Sequence, residues 1–426
     1  MFSIVTFLNA PSFARRMKVA MLSSMYLRNP TDTRGLMVSE FNRLLKKEGH
    51  HVEVVAPGDV GIPSEDEIEG IKIHRFTYFL PKSLQKLAYG PGIPTNLSKS
   101  WLARFQVPFF ALSFLAKAFK HTKGVDLIHC QWIPPGLIGL LVNKIRKKPL
   151  VVTVRRVESG KIMKPITRYV LKNADLVLFN STYTEKESVA IAQPKKSMVL
   201  HNSLDTEKFS PLPQERLNKL REDNHIPREA NILLFLGLLV EKKGINYLIE
   251  AMPAVLKQYP DTYLIIAGHG SEEQKLKDMV TRFRIQDKVI FTGHVDAKTT
   301  PTYFNLADVF VCPSIIDSKG DTETLGVVVL EALSCETPVV ASRIGGVPDI
   351  LTPDCGILVP QKDPLALHEA ICDLLKDKKK REVMGIAGRK RVVEHFGEDA
   401  IRARLRQAYA LVIPSQNNAQ EEYAHV

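Results

Sequence analysis

A chain of 426 residues exceeds the size at which one hydrophobic core keeps growing, so two domains are expected. Hydrophobic residues at 45% and charged residues at 24% exclude disorder as the default, and five scattered cysteines without a C-x-x-C pair exclude a disulfide framework and a zinc knuckle. The net charge of +12 is uneven: residues 1–200 hold 30 Lys+Arg against 14 Asp+Glu, and within 101–172 only Asp126 and Glu158 oppose 14 basic residues.

Such asymmetry implies an anionic partner for the first half: a membrane surface, an anionic substrate or nucleic acid. No nucleic-acid module is recognisable, so nucleic acid is not expected. No uninterrupted apolar run reaches 18 residues, so no spanning helix is expected. The opening MFSIVTFLNAPSFARR is apolar first and basic second, the reverse of a secretory signal, and Met17 starts a strand pattern. Residues 1–16 and 414–426 are expected to be poorly ordered. The cytoplasm, with peripheral attachment to the inner face of a membrane, is the expected location.

In chain order, short aliphatic runs predict buried strands at 18–22, 52–56, 126–130, 150–154, 175–179 and 197–200, then at 232–237, 263–268, 288–291, 308–312, 338–342 and 356–359. Helical patterns lie between them. INYLIEAMPAVLKQY (245–259) places Ile245, Leu248, Ile249, Met252, Val255 and Leu256 on one stripe. WLARFQVPFFALSFLAKAFKHTK (101–123) reads as a basic amphipathic helix without an acid, suited to anionic lipid. Strand–helix alternation repeated twice predicts two doubly wound parallel-sheet domains, 17–200 and 201–397, with a polar, Pro-bearing seam at 201–230. A last helix at about 398–413 is expected to pack back on the first domain.

In open α/β sheets ligands bind beyond the carboxyl ends of the strands, so four strand-to-helix turns are the candidates. After the first strand, Gly35 opens a helix whose N-terminus favours an anion. Gly237 begins the second turn and Lys243 ends it beside Gly244, where the lysine would contact a pyrophosphate. In the third, Glu323 and Glu331 bracket TLGVVVL. Leu325 and Gly326 would present backbone amides to phosphate, Glu323 would lie near an attached sugar, and Glu331, about two turns into the helix, would accept from ribose hydroxyls. The fourth turn carries the pair Gly345-Gly346.

The run PSIIDSKGDTETLGVVVLEALSCETPVVASRIGGVPDIL resembles the signature of the retaining glycosyltransferases of family 4, which have the GT-B fold: two Rossmann-like domains facing across a cleft. MKVAML with Gly35, DLIHC, Asn202-Ser203-Leu204-Asp205, Gly268-His269-Gly270 and CGILVPQKDPLALHEAICDLL extend the similarity over about 17–412. It implies a nucleoside-diphosphate sugar, UDP-linked for instance, bound by Gly35, Gly237, Lys243, Gly268, Gly293, Glu323, Leu325, Gly326 and Glu331. The implied reaction is transfer with retention to a glycan or lipid-linked acceptor, in polysaccharide or glycolipid synthesis. Glu323, Lys243 and Arg155 are the expected catalytic residues.

The pattern departs from the family at named points. Leu238 stands where an arginine follows glycine, and Arg155-Arg156 stand where a histidine supports the donor sugar. Thr324 and Ser203 each replace a glycine. Arg155 is therefore expected to supply, from the first domain, the positive charge that Leu238 lacks. No His/Asp cluster has ligand spacing, so neither metal nor cofactor is expected, fixed cations neutralising the departing diphosphate. The rival readings are a non-catalytic nucleotide-sugar-binding protein and a nucleotide-sugar isomerase or epimerase.

Overall fold

The computed structural model describes residues 16–413 except Thr33, Pro91 and Ser159; the terminal segments at 1–15 and 414–426, expected to be poorly ordered, lie outside the described residues. The chain divides into two compact units, Met1–Asn202 with Ile401–Val426, and Ser203–Ala400.

The first unit holds eight strands: β1 (Lys18–Ser23), β2 (His51–Pro57), β3 (Glu65–Ile68), β4 (Ile71–Phe76), β5 (Leu127–Gln131), β6 (Leu150–Val154), β7 (Leu176–Phe179) and β8 (Ser197–Val199). Their order is β3-β4-β2-β1-β5-β6-β7-β8. All pairings are parallel except β3 with β4. The chain winds one way from β1 through β2 and the other way through β5, so the switch point lies between β1 and β5.

The second unit holds β9 (Asn231–Leu236), β10 (Thr262–Ala267), β11 (Val289–Gly293), β12 (Val309–Cys312), β13 (Val339–Ser342) and β14 (Gly356–Val359). These run parallel in the order β11-β10-β9-β12-β13-β14, with the switch point between β9 and β12. Helices cover both faces, so Leu233 to Phe235, Ile265, Ile266 and Val309 to Val311 are buried, as near-continuous apolar strands require.

All twelve predicted strands form, each within two residues of its predicted ends. Sequence reading missed β3 and β4. EDEI has a single apolar residue and IKIHRF carries three bases, and their polar groups are held by partners on neighbouring strands: Arg75 Nη2 lies 3.2 Å from Asp66, and His74 Nε2 2.9 Å from Glu53. The segment 101–123 is not one helix. Trp101–Phe105 and Val107–His121 are separate: Pro108, which has no N–H to donate to the preceding turn, opens the second helix, and at the junction buried Gln106 bonds the backbone through its side chain, accepting from Lys86 N at 2.9 Å and donating to Leu84 O at 2.6 Å. The polar stretch 201–230 is more than a seam: it carries the helix Gln214–Asp223, anchored by buried Leu217.

The last helix, Glu398–Ala410, belongs largely to the first unit. Its buried Tyr409 hydroxyl lies 2.7 Å from His129 Nδ1, and His129 Nε2 lies 2.7 Å from Thr153 Oγ1. Arg406 Nη1 donates to both oxygens of Glu48 at 2.9 Å, and Arg402 adds a third bond. All five cysteines are buried free thiols.

Candidate active site

The second unit gathers most of the expected residues at the carboxyl ends of its strands. Gly237, Gly268 and Gly293 follow or end β9, β10 and β11, side by side. Gly237 N donates to Ala267 O at 2.9 Å, and Gly268 N to Gly293 O at 2.8 Å. Gly268 has a positive φ of 145°, and a Cβ there would stand 1.8 Å from Gly237 O. Only glycine lets these backbones approach so closely.

Lys243 ends the short 3₁₀ turn Glu241–Lys243, and Gly244, left-handed at φ 62°, caps the helix Ile245–Gln258. This turn is stitched to the loop after β12. Ile315 N donates to Lys242 O at 2.8 Å, Lys242 Nζ lies 3.2 Å from Asp321, and Glu241 accepts from Ser318 N and Oγ at 2.9 and 2.8 Å. Lys243 is thereby held against Glu323, and the two side chains, each 13% exposed, form a close ion pair. Burial alone would depress the Lys243 pKa, but Glu323, with Cys312 and Glu331 nearby, raises it, so the ammonium stays charged.

Glu323 is fixed from behind by the Gly-Gly turn after β13. Gly345 adopts φ 51°, a Cβ on it would meet Glu323 O at 1.6 Å, and Gly346 N donates to that oxygen at 3.3 Å. In the sequence the role of this pair as the support of Glu323 had no signal beyond the two glycines. Gly326, left-handed at φ 91°, caps the helix Val327–Ser334, and Leu325 is buried just before it. The helix starts at Val327, so Glu331 sits little more than one turn in, not two. Half-buried Glu331 acts electrostatically on Lys243, which draws both carboxylates and the lysine into one neighbourhood.

Two expected residues lie in the first unit. Gly35, at φ 85°, caps the helix Leu36–Lys47, and a Cβ would strike Tyr26 Cα at 2.7 Å; close packing against Tyr26 is the visible demand for glycine here. Arg155 follows β6 and is 7% exposed, so it does not belong to the outward basic surface. Its Nη1 donates to Gln131 Oε1 at the end of β5, its Cζ stands 6.0 Å from the Phe41 ring centroid, and its buried Nε has no hydrogen-bond partner. Burial lowers its pKa to about 10, with Glu40 opposing, which still leaves it a cation at neutral pH. Gln131, missed by sequence reading, is its one hydrogen-bonding companion among the described residues.

Comparison with known proteins fits this geometry. The pattern described as "Glycosyltransferase Family 4" matches residues 36–208, and that of "Glycosyl transferases group 1" matches 218–391. A GDP-mannose-dependent alpha-(1-6)-phosphatidylinositol monomannoside mannosyltransferase of Mycolicibacterium smegmatis is 32% identical over 304 residues, 69% of this chain and 79% of the relative. The chain belongs to glycosyltransferase family 4. A sulfoquinovosyl transferase of Arabidopsis thaliana is 28% identical over 88% of this family member and 69% of its own length. Among solved structures, a sucrose-phosphate synthase from Thermosynechococcus elongatus matches with a TM-score of 0.74 at 24% identity, covering 92% of this chain and 98% of its own. The Anabaena protein HepE, in complex with UDP, matches at 0.72 and 19% identity over 92% of this chain and all of its own. These likenesses carry the fold, which is the GT-B fold expected from the sequence.

Proposed function

We propose that this glycosyltransferase moves a hexosyl unit from a nucleoside-diphosphate sugar to a lipid-linked or glycan acceptor, with retention and without a catalytic metal. The observation that carries the reading is the Lys243–Glu323 pair with Glu331 close by, set at the switch point between β9 and β12 by glycine-tight turns. Departure of the diphosphate builds negative charge. A preorganised ammonium and the amides at Leu325 and Gly326 lower that barrier by meeting the charge as it grows. Glu331 accepts from ribose hydroxyls, and Glu323 positions Lys243 and contacts the sugar.

Arg155 is the cation we assign to the reaction from the first unit. A buried guanidinium with an unpartnered Nε is short of acceptors, and an anionic group on a reactant supplies them bidentately. The relative named above uses GDP-mannose, so GDP-mannose and UDP-sugars are the first donors to compare. A thermal-shift panel of nucleotide sugars tests the reading, because a bound donor stabilises by mass action. The stabilising donor is then assayed for turnover, and Glu331→Ala is expected to weaken its binding by about 1.5–3 kcal/mol. Equal affinity in the variant, or no stabilisation by any nucleotide sugar, overturns the donor assignment; stabilisation without turnover favours a binding protein.

A membrane-borne acceptor is supported by the helices Trp101–Phe105 and Val107–His121. Trp101, Phe105, Phe109 and Leu112 are exposed there, with Trp101 at 76% and Leu112 at 66%, beside Lys99, Arg104 and Lys120. Among the described residues no helix is long and apolar enough to cross a membrane. Apolar rings flanked by bases suit the interface of an anionic bilayer. Sedimentation with anionic vesicles is expected to fall at high salt and in the Trp101→Glu/Leu112→Glu variant; indifference to lipid charge favours a soluble acceptor.

A further inference from the structure

Outside the candidate active site, three strands and a helix bring two histidines and two glutamates together. β3 pairs Glu65 directly with His74 of β4, and β2 pairs Val55 with His74, so Glu53, two residues earlier, projects from the same face. The helix Val107–His121 packs over that face and ends in His121, whose ring stacks on His74 with centroids 3.6 Å apart. His74 Nδ1 bonds Glu65, whose other oxygen accepts from Lys117 at 2.7 Å. His74 Nε2 faces Glu53 at 2.9 Å, and His51 Nε2 holds the second oxygen of Glu53 at 3.1 Å.

We propose that Glu53, His74 and His121 form a divalent-metal site, best suited to zinc, that ties the helix Val107–His121 to the sheet. The ligand atoms of the three residues lie within 4.8 Å of one another. Zinc holds N and O ligands at about 2.0–2.2 Å in a tetrahedron, so the widest separation has to close by roughly an ångström. Turning His121 about its Cβ–Cγ bond exchanges the ring stack for coordination. Two features favour a metal over a plain ion cluster. His121 Nε2 is buried without a hydrogen-bond partner, a state that native structures rarely leave unexplained. Glu65 on Nδ1 of His74 is the carboxylate–histidine arrangement that directs the other ring nitrogen at a metal. Imidazole with carboxylate and one position left for water is a borderline-soft set that suits zinc over magnesium or calcium. These residues sit at positions 53, 74 and 121, so no local spacing in the sequence could have shown them.

The test uses the full chain stripped with a chelator and titrated with Zn²⁺ against a colorimetric zinc indicator. One equivalent held with a dissociation constant below micromolar is expected, with Co²⁺ giving the visible absorption of a four-coordinate site. His121→Gln and Glu53→Gln should each weaken binding at least tenfold and abolish the cobalt band. Glu65→Gln, which touches no metal, should weaken it by about 10–100-fold. Thermal melts check that each variant folds; should His121→Gln fail, half-exposed Glu53→Gln carries the test. Failure of the wild type to retain an equivalent, or retention undiminished in the folded variants, overturns the site. None of these readouts depends on sugar transfer.

Discussion

A cation stands beyond a strand end in each unit, and the two are kept in opposite ways. Lys243, after β9, is paired with Glu323 and has Glu331 nearby, so its charge is favoured despite burial. Arg155, after β6, has an amide, an aromatic ring and the opposing charge of Glu40, and burial depresses its pKa to about 10. Lys243 contributes to the stability of its unit before any donor arrives. Arg155 costs its unit something, because a buried cation with so few partners is disfavoured.

The largest effect should come from removing the paired cation. Lys243→Ala should lower turnover by roughly two to three orders of magnitude, the usual consequence of losing one preorganised transition-state donor. It should also destabilise the second unit, because Glu323 and Glu331 lose the cation that both act on; adding Glu323→Gln should restore part of the melting temperature but none of the turnover. If Lys243→Ala keeps wild-type turnover, the paired cation is structural only.

Arg155→Met breaks the comparison from the other side. Turnover should fall by roughly two orders of magnitude, more than donor affinity does, since leaving-group charge grows toward the transition state. Stability of the free protein should stay unchanged or rise by about 1 kcal/mol, because a poorly partnered buried charge is replaced by an apolar side chain. A melting temperature that drops as far as in Lys243→Ala would erase the contrast between the units.

The support of Glu323 can be probed without touching a charge. Gly345→Ala puts a methyl where Glu323 O stands, at a positive φ, and should destabilise the second unit by about 2–4 kcal/mol while weakening donor binding. Gly293→Ala is the control: φ is also positive, but nothing lies within 4 Å of its Cβ, so a loss of about 1 kcal/mol is expected. Equal losses, read by denaturant melts, would mean that the close approach at Gly345 is soft.

The smallest effect is a slope. Burial, with Arg155 beside it, holds His129 down to about pKa 3 against an ordinary 6.5. Between those values the unfolded chain binds a proton that the folded one does not, so stability falls as pH drops through this window, by up to about 1.4 kcal/mol per pH unit. His129→Gln should flatten the melting-temperature slope between pH 6 and 4, at some cost in stability at pH 7 from the bonds to Tyr409 and Thr153. An unchanged slope would assign the acid sensitivity elsewhere.

Strands buried on both faces were legible because their apolar runs need no context: LVVTV and GILV form over the predicted residues themselves. β3 and β4 were illegible because His74 and Arg75 are buried only by virtue of carboxylates on neighbouring strands, a pairing no local pattern carries. The break at Gln106 had a local sign in Pro108, which cannot donate a helical hydrogen bond; the bonds of the Gln106 side chain to a loop some twenty residues earlier had none. At the site, the two glutamates with seven residues between them and the lysine beside a glycine were visible as residue types. The Gly345 contact with Glu323 and the Gln131 bond to Arg155 join separate strand ends, and only the sheet order brings those together.

The helix Glu398–Ala410 has a consequence for how the protein is made. Synthesis runs from the amino end, and His129 waits for Tyr409, 280 residues later, before its ring is enclosed. During translation the second unit can therefore complete its sheet while the first still lacks a stave, leaving open on the nascent chain the apolar surface that Ile401, Leu405 and Tyr409 later cover. A ribosome stalled anywhere between residues 203 and 400 would carry a first unit that is threaded but unsealed, a natural client for chaperones and an early target for proteases.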